Sequence, residues 1–517
     1  MNFMDVFQLL LQGFAVAFTF KNLAAALIGG VLGIIVGGLP GLGAVTGIAL
    51  LLPLTFSMEP TTAIIMLAAI YYGCMYGGSY TSILMNIPGE SSSIATALDG
   101  YPLAKKGMAG KALFTANISS FIGGTIGIIM LSFMGPFLAK MGLAFGPPEI
   151  AAIILLALCS ISWLLGENPR KGMIATFLGI LIATIGIDLT SGQQRFTFGS
   201  MNLLEGVSII PLIIGMFGLS QIMEMMNQSK NVNTFEGKLT LKESFLTKKE
   251  LKRILAPSIR TGFLGNFIGI LPGAGATTGS MLSYIFEKRV GKNRDKMGEG
   301  VIEGVAAAEA GNNSTAVGAF APLLSLGIPG SGATAILLGG LIMWGLKPGP
   351  LLFQDNPEFV WGLISSMYIG NVIVLIASLA IIPFLIYFIR IPASIMIPII
   401  IILCVVGAYT EKNSMFDVWL MLGAGVFGYL LTIHDYPVAP LLLSFVLTPM
   451  LENAVRQSFS ISGGDIGIFV RGPITITILS LIVLFILSPM ILKFFKKEKM
   501  TESNLFNINN SESDKQV

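Results

Sequence analysis

Long apolar runs, separated by short polar stretches, dominate this chain. They fall at about 23–56, 61–87, 112–140, 147–165, 172–189, 206–226, 254–286, 311–352, 358–408, 414–451 and 473–494. A helix needs ~20 apolar residues to cross a bilayer, so several runs hold more than one element. The pattern predicts an all-α polytopic membrane protein with about ten to fourteen segments. The polar stretch at 227–253 reads as a cytoplasmic linker between two membrane halves, 1–226 and 254–499. The tail at 500–517, ending SESDKQV, reads as disordered. Met1 to Phe20 carry Asp5 and no basic residue, the mark of an amphipathic or first membrane helix and not of a cleaved signal peptide.

Two apolar runs are broken in the same way. GVLGIIVGGLPGLGAVTG spans Gly30–Gly47 and GFLGNFIGILPGAGATTG spans Gly262–Gly279. At an offset of 232 residues (272 − 40), Gly30, Gly33, Gly37, Leu39, Pro40, Gly41, Gly43, Ala44, Thr46 and Gly47 each meet an identical residue. A second pair follows in the same order, Ile87-Pro88-Gly89 and Ile328-Pro329-Gly330, at an offset of 241 (328 − 87). The chain therefore contains an internal repeat. Basic loops change places between its halves: EKRVGKNRDK (Glu287–Lys296) follows the second break, whereas Thr55–Ile64 after the first has Glu59 and no cation. Lys105, Lys106 and Lys111 follow the first IPG, where the counterpart Gly340–Leu352 has only Lys347. Because cytoplasmic loops are the basic ones, the halves are expected to be inverted in the membrane, with the C-terminus and its Lys493–Lys499 cluster in the cytoplasm.

Pro and Gly inside a bilayer free backbone groups that protein, ions, substrate or cavity water must then satisfy. The half-helix after each LPG turn starts with open N–H groups and a positive dipole end, which suit an anion. Carbonyls around Gly41, Gly43, Gly273 and Gly275, with the Thr46 and Thr278 hydroxyls, suit a small hard cation such as Na+. The paired breaks are the sequence pointer to a transporter's binding site; the alternative is that the glycines only let helices pack closely. Asn86, Ser91, Ser92 and Ser93 flank the first IPG, and Asn312, Asn313, Ser331 and Thr334 lie around the second, as candidate carboxylate ligands. Glu90 and Glu309, ionisable at membrane depth, are candidates for ion coupling, with Asp99 and Glu303 behind them.

Composition narrows the classes. Charged residues are 11% and hydrophobic residues 54% of the 517, against about 25% charged in soluble domains. The net charge of +3 comes with no basic arm, which argues against a nucleic-acid partner. Cys74, Cys159 and Cys404 lie far apart in apolar stretches and read as small buried hydrophobes. No phosphate-cradling G-x-x-x-x-G-K-[ST], H-E-x-x-H or G-x-S-x-G occurs, so neither an ATP-driven pump nor a membrane hydrolase is expected, and no catalytic residue or cofactor is assigned. A secondary carrier, a channel and a non-transporting membrane scaffold remain, and inverted broken pairs suit the carrier.

Three stretches carry a family resemblance: LPGLGAVTG (Leu39–Gly47), YGGSYTSILMNIPGESSSIATALDGYPLAKKG (Tyr76–Gly107) and EGVAAAEAGNNSTAVGAFAPLLSLGIPGSGATAILLGGLIMWGLKPGP (Glu303–Pro350). Across roughly residues 15–495 the chain resembles the large membrane subunit of tripartite tricarboxylate transporters. It departs from that pattern at Ala308, where proline often precedes the glutamate, and at Gly311, where alanine is usual. The resemblance implies a multi-pass permease of a bacterial inner membrane. It further implies a small membrane subunit and a periplasmic solute-binding protein as partners, and uptake of a carboxylate such as citrate on a sodium or proton gradient.

Overall fold

The computed structural model describes residues 3–39, 41–164, 169–188, 191–227, 244–384 and 393–484. Pro40, most of the 227–253 linker and the 500–517 tail lie outside these residues. Apart from one two-residue strand pair, Gly186–Ile187 with Gln194–Arg195, the described regular structure is helical. Among the described residues eight helices are long and apolar enough to cross a membrane: an all-α polytopic membrane protein. Shorter apolar helices, among them Ala44–Thr55 and Gly332–Met343, lie between them.

In chain order the helices are α1 (Phe3–Ala17), α2 (Phe20–Gly37), α3 (Ala44–Leu51), α4 (Pro60–Met85), α5 (Ile94–Leu103), α6 (Ala109–Gly142), α7 (Pro147–Leu164) and α8 (Pro169–Ala183). A π-helical turn, Ile214–Leu219, joins α9 (Ile209–Ile213) to α10 (Ser220–Asn227). The second half holds α11 (Lys248–Ile270), α12 (Gly275–Val290), α13 (Ile302–Gly318), α14 (Phe320–Leu326), α15 (Gly332–Met343), α16 (Leu352–Asp355) and α17 (Pro357–Ile381). Then come α18 (Ala393–Lys412), α19 (Met415–Ile433) and α20 (Val438–Ser462). The chain divides into two compact units, 1–144 with 161–449, and 145–160 with 450–517. In the smaller unit Glu149 accepts Gly146 N and Thr475 Oγ1, at 3.0 and 2.8 Å, while Ile478 and Ile482 pack on Ala152.

The repeat is legible atom by atom in the larger unit. α2 crosses α4 so closely that a Cβ on Gly33 or Gly37 would collide with the carbonyl oxygen of Ile70 or Cys74. α11 crosses α13 likewise, with Gly265 against Gly311 O and Gly269 against Thr315 O. These residues correspond at the two offsets found in the sequence, 232 for the glycines (265 − 33, 269 − 37) and 241 for their partners (311 − 70, 315 − 74). For these glycines the close-packing reading holds.

The long helices that follow the IPG breaks, α6 and α17, are exchanged between the repeats. α6 packs on α11 and α13 of the other repeat, and α17 packs on α2 and α4. They run antiparallel to each other: Ser132 Oγ is 3.0 Å from Tyr368 OH, and further along Asn371 Nδ2 donates to Thr125 Oγ1 at 3.1 Å. Each repeat therefore points the opposite way from its mate. At one end Lys21 meets Glu59 at 3.2 Å. At the other, reached along the 26 residues of α4, about 39 Å of helix, Lys111 pairs with Glu250 at 2.7 Å, holding that carboxyl down to about 2.

Cysteines introduced at Lys105 and Arg294 should accordingly share one membrane face, and one at Glu59 the other. An impermeant thiol reagent added outside intact cells is expected to label only the Glu59 position. Labelling at Arg294 would overturn this orientation.

Candidate functional site

Each repeat carries two helix breaks. The chain leaves α2 and α11 through Gly41 (φ 86°) and Gly273 (φ 79°), left-handed turns that a side chain would strain. At the IPG breaks, Gly89 packs on Gly37 O and the Gly78 backbone, and Gly330 packs on Gly269 O and the Ala319 backbone. These too are repeat mates (330 − 89 and 319 − 78 both give 241). The breaks within each half are tied differently. In the second, Gly273 N donates to Gly330 O at 3.1 Å. In the first, the Glu90 carboxylate accepts from Ala44 N, the first amide of α3, and lies against Gly43.

Between the halves the breaks meet crosswise. Ser91 Oγ lies 2.9 Å from Thr277 Oγ1, joining the first IPG turn to the first turn of α12. Their mates, Gly332 and Val45, also meet: a Cβ on Gly332 would stand 3.4 Å from Val45 Cγ2. One contact is therefore polar and its twin apolar. A second crossed pair differs more sharply. Tyr71 OH and Ser331 Oγ are 3.1 Å apart, fully buried; their mates are Asn312 and Glu90. Asn312 is fully buried, and neither its Nδ2 nor its Oδ1 has a partner among the described residues. The Ser91–Ser93 turn packs on α13, the helix that carries Asn312.

The remaining candidates divide by what they bind. Ser93 Oγ donates to Gly78 O and Glu90 O at 2.9 and 2.7 Å. Thr334 and Ser331 form a capping box at the start of α15. Asn86 closes α4 in a left-handed conformation (φ 57°), exposed. Apart from the contact of Ser331 with Tyr71, these bonds stay within one half. Among the described residues Ser92 Oγ reaches only Met75 Sδ, at 3.6 Å. Asn313 Nδ2 donates to Glu309 O at 3.1 Å and its Oδ1 is unpartnered. Glu309 is held by Thr96 Oγ1 and by Ser120 Oγ at 2.9 Å, on α5 and α6, and not by a break. Thr46 is buried in α3, Thr278 is half-buried in α12, and Gly275 has φ 63°. Asp99 takes the N–H groups of Gly298, Gly300 and Val301 and the Tyr284 hydroxyl, and so latches the two halves together at the basic end. Glu303 pairs with Arg253 there at 2.7 Å.

Tyr71, Thr277 and the Ala44 amide were missed in the sequence. Matching identical residues across the repeat selects Thr46 and Thr278, whereas the crossed contacts use the next position back, where valine meets threonine.

The family model described as "Tripartite tricarboxylate transporter TctA family" matches residues 23–443. An uncharacterised 52.8 kDa protein in the TAR-I ttuC' 3' region of Agrobacterium vitis is 40% identical over 477 residues, covering 92% of this chain and 95% of that one. An uncharacterised protein in the TAR-II ttuC' 3' region of the same organism is 41% identical over 217 residues, 42% of this chain and 90% of its own. No solved structure matches.

Proposed function

The chain belongs to the tripartite tricarboxylate transporter TctA family, and from that membership and the crossed breaks we propose that it is the permease of a secondary carrier that imports a small carboxylate. On this reading it works in the inner membrane with a small membrane subunit and a periplasmic solute-binding protein, and a sodium or proton gradient drives it. The observation that carries the reading is the crossed contact Ser91–Thr277 on the same helix-break side as an Asn312 amide left open. Inverted halves that meet through their breaks have the construction of an alternating-access carrier, in which one half rocks against the other around a fixed site. The first amide of α3 is already taken by Glu90. A substrate carboxylate is therefore drawn to the start of α12, where the dipole end is positive and Thr277 and Ser91 supply hydroxyls. Neutral hydroxyl and carbonyl oxygens, with Glu90, form a donor set suited to a hard monovalent cation travelling with it.

Uptake into proteoliposomes tests this, across a panel of labelled carboxylates, with and without the binding protein. Uptake is expected to saturate, to need no nucleotide, and to stop when the ion gradients collapse. With sodium as the coupling ion, Thr46→Ala and Thr278→Ala raise the sodium concentration for half-maximal uptake several-fold. With protons, Glu90→Gln and Glu309→Gln remove the pH dependence instead. ATP-dependent uptake in the absence of any gradient would overturn the class, and an ohmic current would make the protein a channel.

A further inference from the structure

At the basic end of the bundle a cavity of about 590 Å³ opens between the first turns of α11 and the loop from α12 to α13. Its wall carries more cation than its own carboxylates balance. Glu303, only 8% exposed on its side chain, takes Nε and Nη2 of Arg253 at 2.7 and 3.0 Å. Glu287 takes a single nitrogen of Arg260, Nη2, at 2.7 and 2.9 Å, leaving that guanidinium with donors on Nε and Nη1. Three further wall residues, Lys252, Lys292 and Lys296, make no ion pair among the described residues. Five cations against two carboxylates leave +3 in one recess, an excess that calls for an anion.

A second feature says what kind. Leu251, Leu255, Ile259, Phe263 and Phe267, spaced four apart on α11, are 39–57% exposed. Leu251, Leu255 and Ile259 each lie one position before a cavity-lining residue, Lys252, Ala256 and Arg260, about 100° round the helix, and Phe263 and Phe267 carry the apolar row on beyond the end of the cavity. From Leu251 to Phe267 the stripe rises through 16 residue steps (267 − 251), about 24 Å, most of the ~30 Å hydrocarbon thickness. A soluble anion would use the recess alone, whereas a phospholipid uses both. We propose that this is a binding site for a phospholipid with an anionic headgroup. Its phosphate sits among Lys252, Lys292, Lys296 and the spare donors of Arg260, and its acyl chains lie along the α11 stripe. Basic recesses between membrane helices recognise headgroups in this way. The bound lipid would clamp α11 to the loop that holds Asp99.

The test uses the full chain, purified in a neutral detergent, stripped of lipid and titrated with phosphatidylglycerol or with phosphatidylcholine of the same acyl chains. Bound lipid is read by native mass spectrometry. Phosphatidylglycerol should be retained at concentrations at least tenfold lower than phosphatidylcholine. The triple variant Lys252→Gln, Lys292→Gln and Lys296→Gln should lose that preference while its thermal unfolding without lipid is unchanged. Should the triple variant fail to fold, Lys292→Gln with Lys296→Gln, both exposed loop positions, gives the same reading with a smaller loss. Lys140→Gln, in the apolar groove beside Phe137 and Trp361, should keep the preference. Equal retention of the two lipids, an undiminished preference in the lysine variants, or its loss in Lys140→Gln would overturn the proposal. Displacement of the lipid by excess inorganic phosphate or citrate would make this a soluble-anion site and overturn it equally.

Discussion

Alanine at Gly37 or Gly269 should cost the protein most of its folded yield. The added methyl group would meet a backbone carbonyl, Cys74 O in one crossing and Thr315 O in the other. A side chain in the way can turn aside, but a carbonyl fixed in a helix cannot, so the two helices must part along the crossing. Overpacking typically costs ~1–3 kcal/mol, and a rigid obstacle falls at the upper end. Domains hold only ~5–15 kcal/mol in all. In a bilayer the loss has little to offset it, since helix association there rests on packing and not on the exclusion of water. Gly423, in α19, has nothing within 4 Å of where its Cβ would be. Gly423→Ala should therefore be neutral, or stabilise by up to ~1 kcal/mol through helix propensity. The check is the midpoint of thermal unfolding in detergent, followed by the monodisperse fraction. Midpoints for Gly37→Ala and Gly269→Ala equal to that of Gly423→Ala would show the crossings to be looser than described.

The repeat, its breaks and its inversion were all legible in the sequence, because each left a local mark. Glycine and proline register where backbone departs from a helix, and lysine registers which loops share a face. Orientation of individual helices was not legible. Residues 62–85 of α4 are all buried, so no apolar stripe distinguishes its faces, and the role of Tyr71 could not be read from spacing. Ionisability was an uneven guide. Asp99 and Glu303 stood out as charged residues near apolar runs, and the structure gives both to bonds at the basic end. Glu90 does lie at a break, but as the carboxylate that caps α3. The polar residues of the serine cluster were legible as a set. Their division into Ser93, spent on Gly78 O, and Ser91, turned to Thr277, depends on how two distant breaks cross. Identity across the repeat finds what the halves share, whereas the proposed substrate site draws on positions where they differ: Thr277 against Val45, Asn312 against Tyr71.

Asn312→Leu should weaken substrate binding about tenfold or more and leave the substrate-free protein as stable as before, or more so. An amide buried without partners carries a desolvation cost of ~1–3 kcal/mol, and Asn312 is fully buried with both its donor and its acceptor open. Leucine has the same branched skeleton and removes that cost, although its two methyl groups are bulkier than the amide they replace. When a carboxylate arrives, a hydrogen bond to the charged group is worth ~1.5–3 kcal/mol, which the variant forgoes. The two effects have opposite signs, and a residue that only packs helices would not separate them. Thr277→Val, which makes the α12 contact resemble its apolar twin at Val45, should weaken binding in the same direction while leaving expression intact. Ser444→Ala, which loses only a bond to Leu441 O at 2.9 Å, should change neither quantity. Substrate affinity is read from the concentration dependence of uptake, and stability from the unfolding midpoint with and without substrate. The wild-type protein should gain several degrees on adding substrate, and Asn312→Leu should gain little. Wild-type affinity in both Asn312→Leu and Thr277→Val would place the carboxylate elsewhere, and a water molecule would then be the natural partner of the amide.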